Sequence, residues 1–340
     1  MRLFRHYDPL PPEVTGCVVA VGNFDGVHLG HQAVIAGTLR LARAAKHPCV
    51  VLTFEPHPRH FFAPDAPPFR LTPLRIKAHC IEALGVDDLL VLHFDAAFAS
   101  LSAEAFVDRV LVEGLKARHV VVGYDFVFGH KRMGNAALLA ALASEKGFAV
   151  SAIEPVRAPN GAVYSSTRIR DLLAAGDPVT AAHLLGRSWE MEGRVVPGDK
   201  RASTIGFPTA NVEVDRQLLR PARGVYAVRA GIDQGRGTDW HEAVANFGIR
   251  PTVGGQVELL EVHLLDRSED LYGRHLRVAL VAYLRAEKKF DGLAALKAQI
   301  AEDCQQARGT LARTKATFRA AERPAGELTS EDEPRTSTKP

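Results

Sequence analysis

Nothing in this sequence calls for a disulfide framework, a membrane span or a strongly charged surface. Cysteine occurs only four times in 340 residues. Cys17, Cys49, Cys80 and Cys304 are scattered, with no CxxC pair and no zinc-like spacing. They read as small buried hydrophobes, natural in a reducing compartment. No apolar run approaches the length of a membrane span, and the opening "MRLFRHYDPLPPE" has no apolar core of signal-peptide length. The expectation is a cytoplasmic protein without a membrane partner. Charge of one sign is also scarce: 42 basic residues face 39 acidic ones, a formal net charge of +3. Such a balance does not call for nucleic acid, but it suits small anionic ligands held locally. What is present is a hydrophobic fraction of 46% and a length sufficient for two ordinary domains.

The first half alternates two periodicities. Short β-rich runs stand at "CVVAV" (17–21), "CVVLTF" (49–54), "LLVLHF" (89–94), "HVVVGY" (119–124) and "FAVSAI" (148–153), with helix-like stretches between them. One such stretch has Leu74, Cys80, Ile81 and Leu84 on an apolar face, and another starts at Ser102 as N-cap. This alternation predicts a parallel sheet covered on both faces, with ligands beyond the carboxyl ends of its strands. The proline-rich connection from Glu55 to Thr72 is long enough to predict a lid or binding loop. After Gly186 the pattern changes to strand-like runs separated by turns, then one closing helix in "GLAALKAQIAEDCQQARGTL". Those runs predict an antiparallel barrel or sandwich as a second domain.

The segment "GNFDGVHLGHQ" (22–32) leaves an apolar strand, turns through glycines and enters a helix near His31. Its glycines permit close backbone approach to a ligand, and the helix start offers unpaired N–H groups. His28 and His31 would add donors for a phosphate. Two bland readings stand beside this one: half of a metal site completed by His57 and His60, or ordinary histidines.

The segment resembles the HxGH signature of the nucleotidyltransferase superfamily, in the form found in bacterial FAD synthetases. The resemblance continues through "TFEPHP" (53–58), "RLT" (70–72), "FDAAFASLSAEAFV" (94–107), "VVGYDFVFG" (121–129) and "YSSTRIRDLLAAGDPVTAAHLLGR" (164–187). It implies a Rossmann-like α/β domain that transfers the adenylyl group of ATP to FMN, releasing pyrophosphate and forming FAD without a covalent enzyme intermediate. It places Gly22, Asn23, Phe24, Asp25, His28, His31, Ser166, Thr167 and Arg168 around ATP, with His28 and His31 as the catalytic pair. It places His57, Asp125 and Phe126 on the flavin side; for Asp125 a turn-forming aspartate is the alternative.

"IGFPTANV" (205–212) resembles the PTAN motif of riboflavin kinase, together with "RGVYAV" (223–228), "VANFGIRPTVGG" (244–255), "LEVHLLD" (260–266), "DLYG" (270–273) and "LRAEKKF" (284–290). The residues alone read as a turn with Asn211 capping it. The resemblance implies a β-barrel kinase with a terminal helix, converting riboflavin to FMN. Gly198, Asp199, Arg201, Gly206, Pro208, Thr209 and Asn211 would hold ATP, with Thr209 and Asn211 also on Mg²⁺, and Glu261 would be the general base. On a strand Glu261 and His263 share one face, which is compatible with a carboxylate at a barrel mouth or with a solvent-facing residue. In "GDKRAST" (198–204), Ala202 and Ser203 replace the family's usual glycine and arginine.

Taken together, residues 1–186 are expected to form the adenylyltransferase domain, 187–312 the riboflavin kinase domain, and 313–340 a disordered tail. The expected partners are the substrates ATP, riboflavin and FMN, with homo-oligomerisation left open. The competing functions are a monofunctional FAD synthetase with an impaired kinase domain, and a flavin-binding regulatory or carrier protein.

Overall fold

The computed structural model describes residues 1–158, 161–197, 206–234, 237–252, 255–265, 267 and 270–321. Six parallel strands form the first sheet: β1 (Arg2–Phe4), β2 (Val18–Val21), β3 (Cys49–Glu55), β4 (Asp88–His93), β5 (His119–Gly123) and β6 (Ala149–Ile153). Their order is β1-β4-β3-β2-β5-β6. Valine- and leucine-rich strands with no polar alternation bury both faces, as a parallel sheet between helices requires. The five anticipated runs are all strands. The added edge strand β1 is only three residues long, and Arg2 forks onto Asp88 of the adjacent β4 at 2.6 and 3.0 Å.

The order reverses between β2 and β5, so the switch point of the sheet lies where the 22–32 segment leaves β2. From there the chain enters α1 (Leu29–Ala45), capped by His28. The short α2 (Pro58–Phe62) follows β3, and α3 (Leu74–Glu82) packs the expected Leu74, Cys80, Ile81 and Leu84 in or against the core, burying Ile76 and Lys77 as well. The Ser102 cap forms as anticipated, accepting from the Ala105 N–H at 3.1 Å, and that helix continues as π-helical turns over Val107–Gly114. All four cysteines are free thiols.

The second domain is a closed antiparallel barrel. Its strands are β7 (Trp189–Val196), β8 (Ala210–Val214), β9 (Gly224–Asp233), β10 (Thr238–Thr252), β11 (Gly255–Leu264) and β12 (His275–Arg285), ordered β8-β11-β10-β9-β12-β7. Helices α4 (Ala136–Lys146), α5 (Ser166–Ala174) and α6 (Pro178–Leu185) lead into the barrel, and α7 (Leu293–Ala321) crosses its outer surface. It runs beyond residue 313, where the sequence pattern placed the start of a tail. Arg285 of β12 pins it through a two-point ion pair to Asp303 at 2.8 and 2.6 Å. Among the described residues no helix is long and apolar enough to cross a membrane.

Apolar packing, backbone hydrogen bonds and the pairing of Arg75 of α3 with Asp233 all join the domains. Ile169, Leu173, Ala181, Leu184 and Leu185 of α5 and α6 share one apolar cluster with the barrel interior. The end of the long 55–72 connection is buried, with Leu71 in that same cluster. The Trp189 indole N–H donates to the Leu71 carbonyl at 2.8 Å, and Arg70 exchanges backbone hydrogen bonds with Gln217 and Leu219 at 3.0 and 2.8 Å. This end of the connection is therefore a stitch between domains, whereas its early part, with Phe62 68% exposed, makes no such tie among the described residues.

Candidate active sites

In the first domain, the ends of β3, β2 and β5 lie side by side, which brings His57, the 22–32 turn and Asp125 to one edge of the sheet. The turn is strained: Phe24 and Val27 have φ of 47° and 43°, a region that costs non-glycine residues energy. What holds it is a set of contacts to its carbonyls. The Asn23 carbonyl accepts from the Lys77 ammonium at 2.7 Å and the Thr53 hydroxyl at 3.1 Å. The Asp25 carbonyl accepts from Ser166 Oγ at 2.7 Å, and that of Gly26 from Arg187 at 2.7 Å. Val27 accepts from Gln32 at 2.9 Å and Arg187 at 3.2 Å, and Phe24 accepts from the Val27 N–H at 3.2 Å. In a trans peptide the following N–H points the opposite way, so fixing the Asn23 carbonyl turns the Phe24 N–H away from Lys77.

His28 and His31 stack with ring centroids 3.7 Å apart. His28 Nδ1 accepts the His31 N–H at 3.3 Å, so the neutral His28 ring carries its proton on Nε2. Burial pushes the His28 pKa down to about 4, and burial with the neighbouring His28 ring holds His31 well below the usual histidine range. Both rings are neutral donors at neutral pH. His31 Nδ1 is buried with no hydrogen-bond partner among the described residues. A metal reading of the pair finds no support: among the described residues no group of three or more His, Cys, Asp or Glu side chains converges.

The other anticipated residues divide. Asp25 is buried and its carboxylate is saturated: Oδ1 accepts the Leu71 and Thr72 N–H groups at 2.9 and 3.1 Å, and Oδ2 pairs with Arg170 at 2.6 Å. Gly22 fits against the Phe24 ring. Ser165 caps α5 by accepting from the Arg168 N–H at 3.3 Å; Thr167 is exposed and Arg168 half-buried on the first turn. His57 is buried edge-on to Phe69, its pKa pushed down to about 4 by burial, and Nδ1 caps α2. Asp125 is exposed on the turn after β5, with Phe126 stacked on Phe128 at 5.3 Å.

Sequence reasoning missed three features here. Phe54, Phe61, Phe62, Phe94 and Phe98 form one aromatic cluster beside the β3 and β4 ends. Arg170 and Arg187 brace the turn. Lys77 is 1% exposed on the core-facing stripe of α3, where a lysine between Leu74 and Ile81 was the available signal.

In the barrel, Asn211 lies on β8 as a strand residue, which replaces the expected turn cap. It pairs in register with Glu261 of β11, and Glu261 pairs with Asn246 of β10, so three polar side chains form a row across adjacent strands. Leu260, Val262 and Leu264 fill the barrel interior, which puts Glu261, half-buried, on the outer face with His263. Asn211 is buried, and its Oδ1 has no hydrogen-bond partner among the described residues. The approach to the strand is fixed by His263, whose Nδ1–H donates to the Pro208 carbonyl at 2.8 Å, and by Phe207 packed edge-on to the same ring. Thr209 is half-buried between them and Asn211. An open groove of about 370 Å³ runs from Gly206, Phe207 and Pro208 past His263 to Cys304 and Arg308 of α7. Gly198, Asp199, Arg201, Ala202 and Ser203 lie outside the described residues.

The metal implied for the second site meets a donor set that suits it. The Asn211 amide oxygen, without a partner among the described residues, and the Thr209 hydroxyl are hard oxygen ligands of the kind a small divalent cation takes.

A Rossmann-like sheet with an HxGH turn at its switch point, joined to a closed barrel with an oxygen-rich strand row, defines a two-domain transferase. The FAD synthetase family model matches residues 10–168 and the riboflavin kinase model residues 185–311. A bifunctional riboflavin kinase/FMN adenylyltransferase of Pseudomonas fluorescens is 45% identical over 313 residues, covering 92% of this chain and 98% of that protein. Its namesakes in Escherichia coli K12 and Bacillus subtilis are 44% and 37% identical, covering 88% and 85% of this chain and 94% and 91% of theirs. A crystal structure of a Streptococcus pneumoniae protein named for macrolide efflux superposes with a TM-score of 0.78 at 31% identity, over 90% of this chain and 98% of that one. The chain belongs to the bifunctional riboflavin kinase/FMN adenylyltransferase family.

Proposed function

We propose that the chain carries one flavin through two ATP-dependent steps: riboflavin to FMN on the barrel, then FMN to FAD on the parallel-sheet domain. The observation that carries the reading is that one chain matches both family models, the FAD synthetase model over residues 10–168 and the riboflavin kinase model over 185–311. Matching both models disfavours the one-activity and carrier alternatives. ATP is a substrate of both steps, and a divalent metal accompanies it; Mg²⁺ is the ion proposed. The substrates are ATP, riboflavin and FMN, and the proposed setting is the cytoplasm.

On the barrel, Glu261 takes the proton of the riboflavin terminal hydroxyl as its oxygen attacks the γ-phosphorus of ATP, and ADP leaves. Asn211 and Thr209 would hold Mg²⁺, which when bound neutralises charge on the ATP phosphates. The His263 contact to Pro208 keeps the Gly206–Thr209 approach against β11, so that Thr209 and Asn211 stay near the carboxylate. Asn246 extends the row on the far side of Glu261 and positions it.

On the sheet domain, an FMN phosphate oxygen attacks the α-phosphorus of ATP, and pyrophosphate leaves from the opposite side. His28 donates from Nε2–H, and His31 adds a second ring to the same face; both strengthen as charge grows on the phosphorus oxygens. Asn23 and Phe24 present the turn to the phosphates, and Thr167 and Arg168 on the first turn of α5 meet the β- and γ-phosphates. His57, Asp125 and Phe126 bound the flavin side. Incubating the protein with riboflavin, ATP and Mg²⁺ and separating the flavins should yield FMN, then FAD. Recovery of riboflavin alone overturns the reading.

A further inference from the structure

The cations under the 22–32 turn are not equivalent. Arg70 is paired to Glu55 and Arg170 to Asp25, and Arg187, on the Gly26, Val27 and Leu185 carbonyls, is only half-buried. Lys77 is almost fully buried, and its ammonium meets only neutral oxygens, the Asn23 carbonyl at 2.7 Å and Thr53 Oγ1 at 3.3 Å. Among the described residues no carboxylate lies within ion-pairing distance of it. Burying a charge without a counter-charge is costly, so such a lysine is retained where a ligand brings the missing negative charge. The histidines do not take that role, since burial keeps both neutral in the free protein.

We infer that Lys77 is a positioning residue for adenylyl transfer. It holds the strained Asn23–Phe24 turn by its main-chain carbonyl, and its buried charge has the nucleotide polyphosphate as its counter-ion. The inference rests on the adenylyltransferase reading of this domain. Around the ammonium stand Arg70 and Glu55 from the strand-loop side, Asp25 from the turn, His31 from α1 and His57 from α2. Burial, then Arg70, lower the Lys77 pKa to about 8, while Asp25 and Glu55 oppose the shift. Raising the pH through that value removes the charge, so kcat/KM for ATP in FAD formation should fall on the alkaline side.

The test compares full-length wild type, Lys77→Met and Lys77→Arg in both reactions. FMN formation takes place on the other domain and reports whether the chain is folded. Lys77→Met is expected to lower kcat/KM for ATP in FAD formation by roughly 10²-fold, the usual effect of losing one oriented donor, with FMN formation unchanged. Lys77→Arg, whose charge does not titrate, should lose the alkaline fall. Wild-type kcat/KM in Lys77→Met, or an unaltered alkaline fall in Lys77→Arg, overturns the proposal. If Lys77→Met fails to fold and both reactions vanish, the Lys77→Arg pH profile decides. Failure of the wild type to make FAD from FMN and ATP strikes the adenylyltransferase reading itself and leaves the two failures distinct.

Discussion

Asn211 and Glu261 face each other across a single antiparallel register, one bringing a buried oxygen that has no partner among the described residues and the other a carboxylate. In the proposed mechanism the pair separates metal binding from proton removal. Glu261→Gln keeps shape and hydrogen bonding but cannot take a proton. FMN formation should drop by roughly 10²–10⁴-fold, the range for a lost general base, while added FMN is still converted to FAD. Chromatography of the flavins reads both outcomes, and loss of both activities in a folded variant contradicts two independent sites.

Asn211→Ala should raise the metal concentration needed for FMN formation, whereas Asn211→Asp, which keeps an oxygen ligand, should not. An unpartnered buried acceptor costs about 1–3 kcal/mol, so removing it offsets part of what the lost side-chain packing costs. The ligand-free melting temperature of Asn211→Ala should therefore change little. A metal titration with an unchanged midpoint takes Asn211 away from the metal.

Asp25 ties the turn to the 70–72 segment and to Arg170 of α5. Removing one partner of a buried ion pair typically costs 3–5 kcal/mol, so Asp25→Ala should lose about that much in denaturant unfolding. FAD formation should fall with it. A variant of wild-type stability would show that Arg170 finds another partner.

Acid should weaken the fold in a defined window. His28 and His57 have pKa values of about 4 in the folded protein against an ordinary 6.5. Between those values the unfolded chain binds protons that the folded one refuses, so stability is full above about pH 6.5 and declines toward pH 4. His57→Asn should flatten the decline, measured as melting temperature against pH. An equally steep profile in that variant assigns the acid loss to other groups.

Much of the architecture was legible because it is written in periodicity. Unbroken valine and leucine runs made five parallel strands visible, and the switch to alternating runs marked the barrel. Two strands of the main sheet and barrel escaped. β1 is too short to show a period, and β8 follows Pro208 and Thr209, which read locally as a turn. Alternation told which residues share a face with Glu261, but barrel closure decides which face is outside. The candidate site was legible as far as motifs name residues. The braces were not: Lys77, Arg170 and Arg187 act on backbone carbonyls far away in sequence, and carbonyls leave no trace in residue type. Asp25 illustrates the same limit, since a carboxylate inside a phosphate motif is engaged by the protein itself.

The packing of α5 and α6 has a practical consequence for anyone dividing this chain. A cut after Gly186, where the composition changes, would split an apolar cluster and leave Ile169, Leu173, Leu184 and Leu185 stranded on the wrong fragment. A transplantable barrel has to begin upstream of Ser165, and it then carries away Ser166, whose hydroxyl grips the Asp25 carbonyl. The kinase can thus be excised as a unit only by dismantling one wall of its neighbour's site, so the two enzymes are joined by shared masonry as well as by a shared chain.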